Sequence, residues 1–278
     1  MVTQLLERGE PVVAAVRHEA DAEKLAPGAQ VREFDFGAPA AELRGALAGC
    51  DRLFLMRPPP IADVQRYLFP LIDVAREAGV RQVAFLSLQG VQANRGTPHH
   101  AVEAHLRRRN APYTFLRPNF FMQNLSTTYA ERIRVTGEIF VPAGRARTAF
   151  IDARDIGRVA AAVFTSPGHL RKAYTLSGEQ SLGYAAVATI MSEVLGRPIR
   201  YARPSEKRYL AALAAAGAPA DYLAVQKMIH RVVRMNVSAL PNRVVRRLTG
   251  TPATTFERFV RDSADVWTPP GAEVHNKP

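Results

Sequence analysis

The chain has 278 residues, 47% of them apolar and 22% charged, with a formal net charge of +12. It is long enough to bury a full core, and no apolar run approaches the ~20 residues of a membrane span, so membrane-embedded classes and a membrane partner are not expected. A single cysteine, Cys50, excludes a disulfide framework and fits a reducing, cytoplasmic location. The positive charge invites a nucleic-acid reading, but the basic residues are scattered and not interleaved with aromatics. The one dense basic stretch, residues 230–247, sets Val-Val pairs between charges as a helix with a solvated face does.

The first eighteen residues read as a helix body, a stop at Gly9, and an apolar strand ending at Arg17. In a dinucleotide-binding βαβ unit these segments follow a first strand and its glycine-rich turn. Neither precedes them here. The fold is therefore expected to lack its first strand, leaving its two neighbours with unpaired edges. The favoured account is a natural start roughly 12–18 residues upstream. The rival account is a true loss of the phosphate loop.

Further along, short apolar runs alternate with helical patterns, the pattern of parallel α/β sheets. Strands are expected at 12–16, 30–34, 52–56, 82–87 and 113–116, with helices at 20–25, 40–48, 62–78 and 99–109. Gly79 ends the third of these helices. A helix at 123–134, a short strand at 138–141, a helix capped by Asp155 and a last sheet strand at 173–176 complete the first domain. The domains are placed at 1–176, a Rossmann-like doubly wound parallel sheet, and 177–278, a smaller, mostly helical lobe. The tail from Trp267 is expected to be loose.

In such folds ligands bind beyond the carboxyl ends of the strands, which selects Arg17, Asp35, Met56, Arg57, Ser87 and the run Arg117-Pro118-Asn119-Phe120. An arginine at position 17 suits the extra phosphate of NADP, where an acid would favour NAD. Asp35 could accept from an adenine amine or cap a turn. No Tyr-x-x-x-Lys pair occurs; the helix after Ser87 carries His99, His100, Glu103 and His105 instead. A histidine there could exchange a proton near neutrality. The spacing is not that of a zinc helix, so no metal is expected. Asp152 and Asp155 read as a cap and an ion-pair partner, not as a catalytic dyad.

Pro112-Tyr-Thr-Phe-Leu-Arg-Pro-Asn-Phe-Phe-Met-Gln-Asn124, with the His99…Glu103…Leu106 helix before it, resembles the NmrA-like group of atypical short-chain dehydrogenases/reductases. Residues 150–157 (Phe-Ile-Asp-Ala-Arg-Asp-Ile-Gly), 174–178 (Tyr-Thr-Leu-Ser-Gly) and 194–199 (Val-Leu-Gly-Arg-Pro-Ile) match its later blocks. The resemblance, covering residues 1 to about 205, implies a Rossmann-like domain, a small substrate lobe and NADPH. It also implies that Arg17 contacts the adenosine phosphate, that Asp35 and Phe36 contact the adenine, and that Met56, Arg57 and Ser87 line the cofactor path. Pro118, Asn119 and Phe120 would flank the nicotinamide. His99 falls near the place where many relatives carry an active-site lysine, and with Ser87 it forms the candidate catalytic pair.

The expected function is NADPH-dependent reduction of a small hydrophobic, quinone-like or aromatic acceptor by hydride transfer. The alternatives are a cofactor-sensing regulator without turnover and a redox-free isomerase or cyclase. The oligomeric state stays open, a homodimer included.

Overall fold

The computed structural model describes residues 1–269, the side chains of Glu19 and Lys24 aside. In chain order the strands are β1 (Val13–Val16), β2 (Gln30–Glu33), β3 (Arg52–Met56), β4 (Gln82–Leu86), β5 (Tyr113–Pro118), β6 (Glu138–Ile139), β7 (Arg147–Thr148), β8 (Lys172–Leu176), β9 (Leu182–Gly183) and β10 (Arg200–Tyr201). The helices are α1 (Val2–Leu6), α2 (Ala40–Ala46), α3 (Val64–Tyr67), α4 (Phe69–Glu77), α5 (Pro98–Arg108), α6 (Gln123–Ser126) and α7 (Ala130–Thr136), followed by α8 (Ala153–Thr165), α9 (Tyr184–Leu195), α10 (Glu206–Ala215), α11 (Ala220–Arg234), α12 (Val244–Thr249), α13 (Phe256–Asp262) and α14 (Ala264–Trp267).

The chain divides into two compact units. The first comprises Met1–Pro118, Arg154–Leu176 and Arg247–Gly250; the second comprises 119–153, 177–246 and the described residues from Thr251. Residues 119–153, expected in the first domain, thus group with the second. A short sequence window cannot reveal this, because the grouping comes from contacts between segments far apart in the chain.

In the first unit four strands pair in parallel in the order β3-β4-β5-β8, and β1 pairs in parallel with β2 as a separate ribbon. The two edges expected to lack a neighbour, β1 and β3, are where these sheets end. Arg52, which opens β3, is held beside Glu10, just ahead of β1, by a 2.5 Å contact, and also donates to the Phe164 carbonyl at 2.8 Å. Leu43, Leu55, Leu68, Ile72, Phe85 and Phe115 form the core that α2, α4 and α5 cover.

The second unit packs Leu125, Ile133, Val187, Met191, Phe256 and Phe259 into its own core. Among its described residues the strands form two-residue pairs, β6 with β10 in parallel and β7 with β9 antiparallel.

Three local expectations are corrected. The stretch 62–78 is two helices, α3 and α4, because Pro70 has no N–H to bond back to residue 66 and its ring crowds that carbonyl. The stretch 123–134 likewise divides after Ser126, where the Ser126 and Thr127 hydroxyls both donate to the Gln123 carbonyl and compete with the helical ladder. Asp155 is not the cap of α8: it lies within the first turn and pairs with Arg158 at 2.6 Å.

Trp267 is fully buried, its indole Nε1 donating to the Leu125 carbonyl at 2.8 Å and its ring set edge-on against Phe259. The chain is therefore anchored at the point expected to be loose; residues 270–278 lie outside the described residues.

Candidate active site

At the carboxyl ends of β3, β4 and β5, all in the first unit, the chain gathers Arg57, Ser87, His99, Glu103 and Arg117. Helix α5 sets the geometry. Thr97 caps it, its hydroxyl accepting from the His100 N–H at 3.2 Å, and Pro98 supplies a preset first-turn φ without wasting a donor. His99 is thereby held in the first turn, over Phe85 of β4, with ring centroids 6.0 Å apart.

Glu103, one turn further on, is 1% exposed. Its Oε1 accepts from the Ser87 hydroxyl at 2.7 Å and from Arg117 Nε at 2.9 Å; its Oε2 accepts from Arg117 Nη2 at 2.6 Å and Arg107 Nη2 at 2.9 Å. Burial alone would raise this carboxyl, but the arginines and the hydroxyl hold it below the usual carboxylate range. It is a locked anion, and the Ser87 proton is committed to it. Ser87 consequently presents lone pairs, not a proton, to anything else nearby. The pairing of Glu103 with Arg117 is not among the contacts expected from the sequence. An arginine inside an otherwise apolar strand was the available signal, since a buried guanidinium demands a carboxylate.

His99 is pushed down to about 4, chiefly by burial and secondly by the Arg57 charge, with Glu103 pulling weakly the other way. It is therefore a neutral imidazole throughout the physiological range. Arg57 turns its Nη1 onto the carbonyls of Pro58, Pro59 and Ile61, while its buried Nε has no hydrogen-bond partner among the described residues. Burial lowers its pKa too.

The other expected residues lie around this cluster or apart from it. Met56, beside Arg57 at the end of β3, is exposed. Arg17 and Asp35 stand exposed just past β1 and β2. Asp35 Oδ1 accepts from the Gly37 N–H at 2.7 Å, the turn-capping geometry. Phe36 is half-buried, 4.8 Å and edge-on from Phe34. Pro118 closes β5 in the first unit, whereas Asn119 and Phe120 belong to the second. The Asn119 amide is occupied there: Nδ2 donates to the Ser238 carbonyl at 2.9 Å, and Oδ1 accepts from the Phe120 N–H at 2.7 Å.

A dinucleotide needs anion-binding groups at strand ends and a cradle of backbone N–H groups for its diphosphate. The first requirement fits, since the Arg57 guanidinium is charged and half-buried, with a buried Nε that has no hydrogen-bond partner among the described residues. For the second, no Gly-x-x-Gly-x-x-Gly occurs anywhere in the 278 residues.

The model of the NmrA-like family matches residues 1–238. The NAD(P)H azoreductase of Xenophilus azovorans is 33% identical over 271 residues, 95% of this chain and 93% of the relative. The agroclavine dehydrogenase of Claviceps fusiformis is 34% identical over 213 residues, 75% of this chain and 73% of the relative. Among solved structures, the NADPH-dependent quinone oxidoreductase of Escherichia coli complexed with NADPH superposes with a TM-score of 0.83 at 26% identity, covering 94% of each chain.

Proposed function

Since this chain belongs to the NmrA-like family, we propose that it is an NADPH-dependent oxidoreductase that reduces a small hydrophobic, quinone-like or aromatic acceptor. The observation that carries this reading is the 33% identity to an NAD(P)H azoreductase along nearly the whole chain. Quinone and azo acceptors share a chemistry, an electron-poor conjugated system that takes up a hydride.

Bound NADPH supplies that hydride, and the chain's residues do the rest. Arg17, exposed past β1, pairs with the phosphate that distinguishes NADP from NAD. Asp35 and Phe36 shape the adenine end, and Arg57 offers its unsatisfied Nε to an anionic group beside Met56. Ser87, its proton given to Glu103, acts as a positioning residue that fixes the loop after β4; that loop is also tied to β5 by the Gln89 N–H on the Pro118 carbonyl at 3.0 Å. His99 contributes an N–H as a neutral hydrogen-bond donor toward the acceptor's developing negative charge, and water delivers the proton. Residues 177–278 form the proposed substrate lobe.

The test is a titration of NADPH and of NADH followed by nicotinamide fluorescence, then NADPH consumption with a soluble quinone. The expected result is preferential NADPH binding, an acceptor-dependent loss of NADPH absorbance, and a preference reduced about tenfold in Arg17→Ala. Equal affinity for both nucleotides overturns the Arg17 assignment. Binding without acceptor-dependent consumption overturns the reductase reading in favour of a sensor.

A further inference from the structure

Helix α11 buries two polar side chains and exposes a row of apolar ones. Its buried face carries Gln226, His230 and Val233, with Gln226 8% and His230 2% exposed. Gln226 accepts from the Tyr209 hydroxyl at 3.0 Å, and neither ring nitrogen of His230 has a hydrogen-bond partner among the described residues. Its outward face carries Val225, Met228 and Val232, a stripe at helical spacing that Tyr222 precedes and Met235 extends. Beyond the helix the apolar surface continues to Leu240; Met235 is 68% and Leu240 77% exposed. Folding gains nothing from placing these apolar side chains in water.

The same segment is the most basic in the chain. Between residues 222 and 247 stand Lys227, Arg231, Arg234, Arg243, Arg246 and Arg247, without a single Asp or Glu. That is six of the net twelve positive charges. Lys227, Arg231 and Arg234 recur at spacings of four and three, so they form a row along α11 beside the apolar stripe. Arg234 is engaged by Glu206. Lys227 and Arg231 are exposed.

We propose that this face docks the protein on an anionic membrane surface, with the Val225–Met228–Val232–Met235 stripe entering the interface and Lys227 and Arg231 contacting the headgroups. The pairing of an apolar stripe with a flanking basic row selects this occupant. A bilayer offers apolar depth and surface anions side by side. A second copy of this chain would bring like-charged rows together. The mode is peripheral, because among the described residues no helix is long and apolar enough to cross a membrane. It is also independent of the cofactor reading, since docking is read without turnover.

The experiment is co-sedimentation of the full chain with vesicles of phosphatidylcholine alone and of phosphatidylcholine with 30% phosphatidylglycerol, at low and at physiological salt, alongside light scattering without lipid. Binding to the anionic vesicles only, weakened by salt, is expected. Lys227→Gln and Arg231→Gln should each lower the partition coefficient about fivefold, and Val232→Asp should lower it at least as much. These positions are exposed, and matching far-ultraviolet spectra and melting temperatures verify that the variants fold. No binding to anionic vesicles, equal binding to both compositions, or variants that bind like the parent overturn the proposal. A concentration-dependent dimer that Val232→Asp disrupts, without vesicle binding, assigns the face to a second copy instead.

Discussion

His99 stands where a proton-exchanging residue was expected, yet its surroundings remove the property that suggested it. Burial over Phe85, with the Arg57 charge beside it, holds the imidazole at about 4, so it titrates below the range in which an NADPH-dependent enzyme works. The rate of quinone-dependent NADPH consumption should accordingly be flat between about pH 5.5 and 8, with no break near 6.5. An inflection near 6.5 that disappears in His99→Gln would show instead that the ring exchanges protons during turnover. Glu103 is the complementary case. Four hydrogen bonds hold its charge in place, and Glu103→Gln leaves Arg117 buried opposite a neutral amide. Removing one partner of a buried pair costs on the order of 3–5 kcal/mol, so this variant should melt well below the parent; an unchanged melting temperature would show that the clamp is dispensable.

At the level of elements, the sequence is legible wherever local chemistry decides. The strands from β1 to β5 fall within two residues of their expected bounds because apolar runs between turn signals are local information. Gly9 and Gly79 both adopt positive φ where a helix was expected to stop. Residue pairs such as Gly178 with Phe150 were not legible, because nothing in a window around either announces the other. A Cβ on Gly178 would lie 2.2 Å from the Phe150 carbonyl oxygen, a backbone atom that cannot step aside. Gly196, by contrast, has φ +63 and nothing within 4 Å of its would-be Cβ. Gly196→Ala should therefore cost only the left-handed backbone penalty, roughly 1 kcal/mol. Gly178→Ala should cost about 3 kcal/mol or more through overpacking. Urea unfolding of the two variants separates steric from conformational cost, and equal losses would contradict the close approach. The candidate site divides in the same way: its strand-end positions follow from the topology rule, whereas the Glu103–Arg117 lock depends on a helix and a strand meeting in three dimensions.

Across the whole molecule, each unit carries one histidine that its surroundings hold strongly to the neutral form, half-buried His99 and buried His230, and together they make the fold sensitive to acid. His99 belongs to the first unit and His230 to the second. Burial pushes His230 down to about 4 as well, with Arg234 adding to the shift and Glu206 opposing it. In the unfolded chain both rings would titrate near 6.5. Between about pH 6.5 and 4 the unfolded state therefore binds more protons than the folded state, so this stabilisation is complete above 6.5 and is lost as the pH falls toward 4. A full shift of this size is worth at most about 3 kcal/mol per ring. Because the rings sit in different units, the loss need not appear as one cooperative transition. His230→Phe keeps an aromatic ring beside Tyr209, now 5.0 Å away and edge-on, while removing the titration. Stability measured by urea unfolding from pH 7 to 5 should fall less steeply in this variant than in the parent, and less steeply still when His99→Phe is added. Parallel pH slopes for parent and double variant would mean that neither histidine drives the acid sensitivity, leaving His105 and His169, which burial also pushes down, as its source in this range.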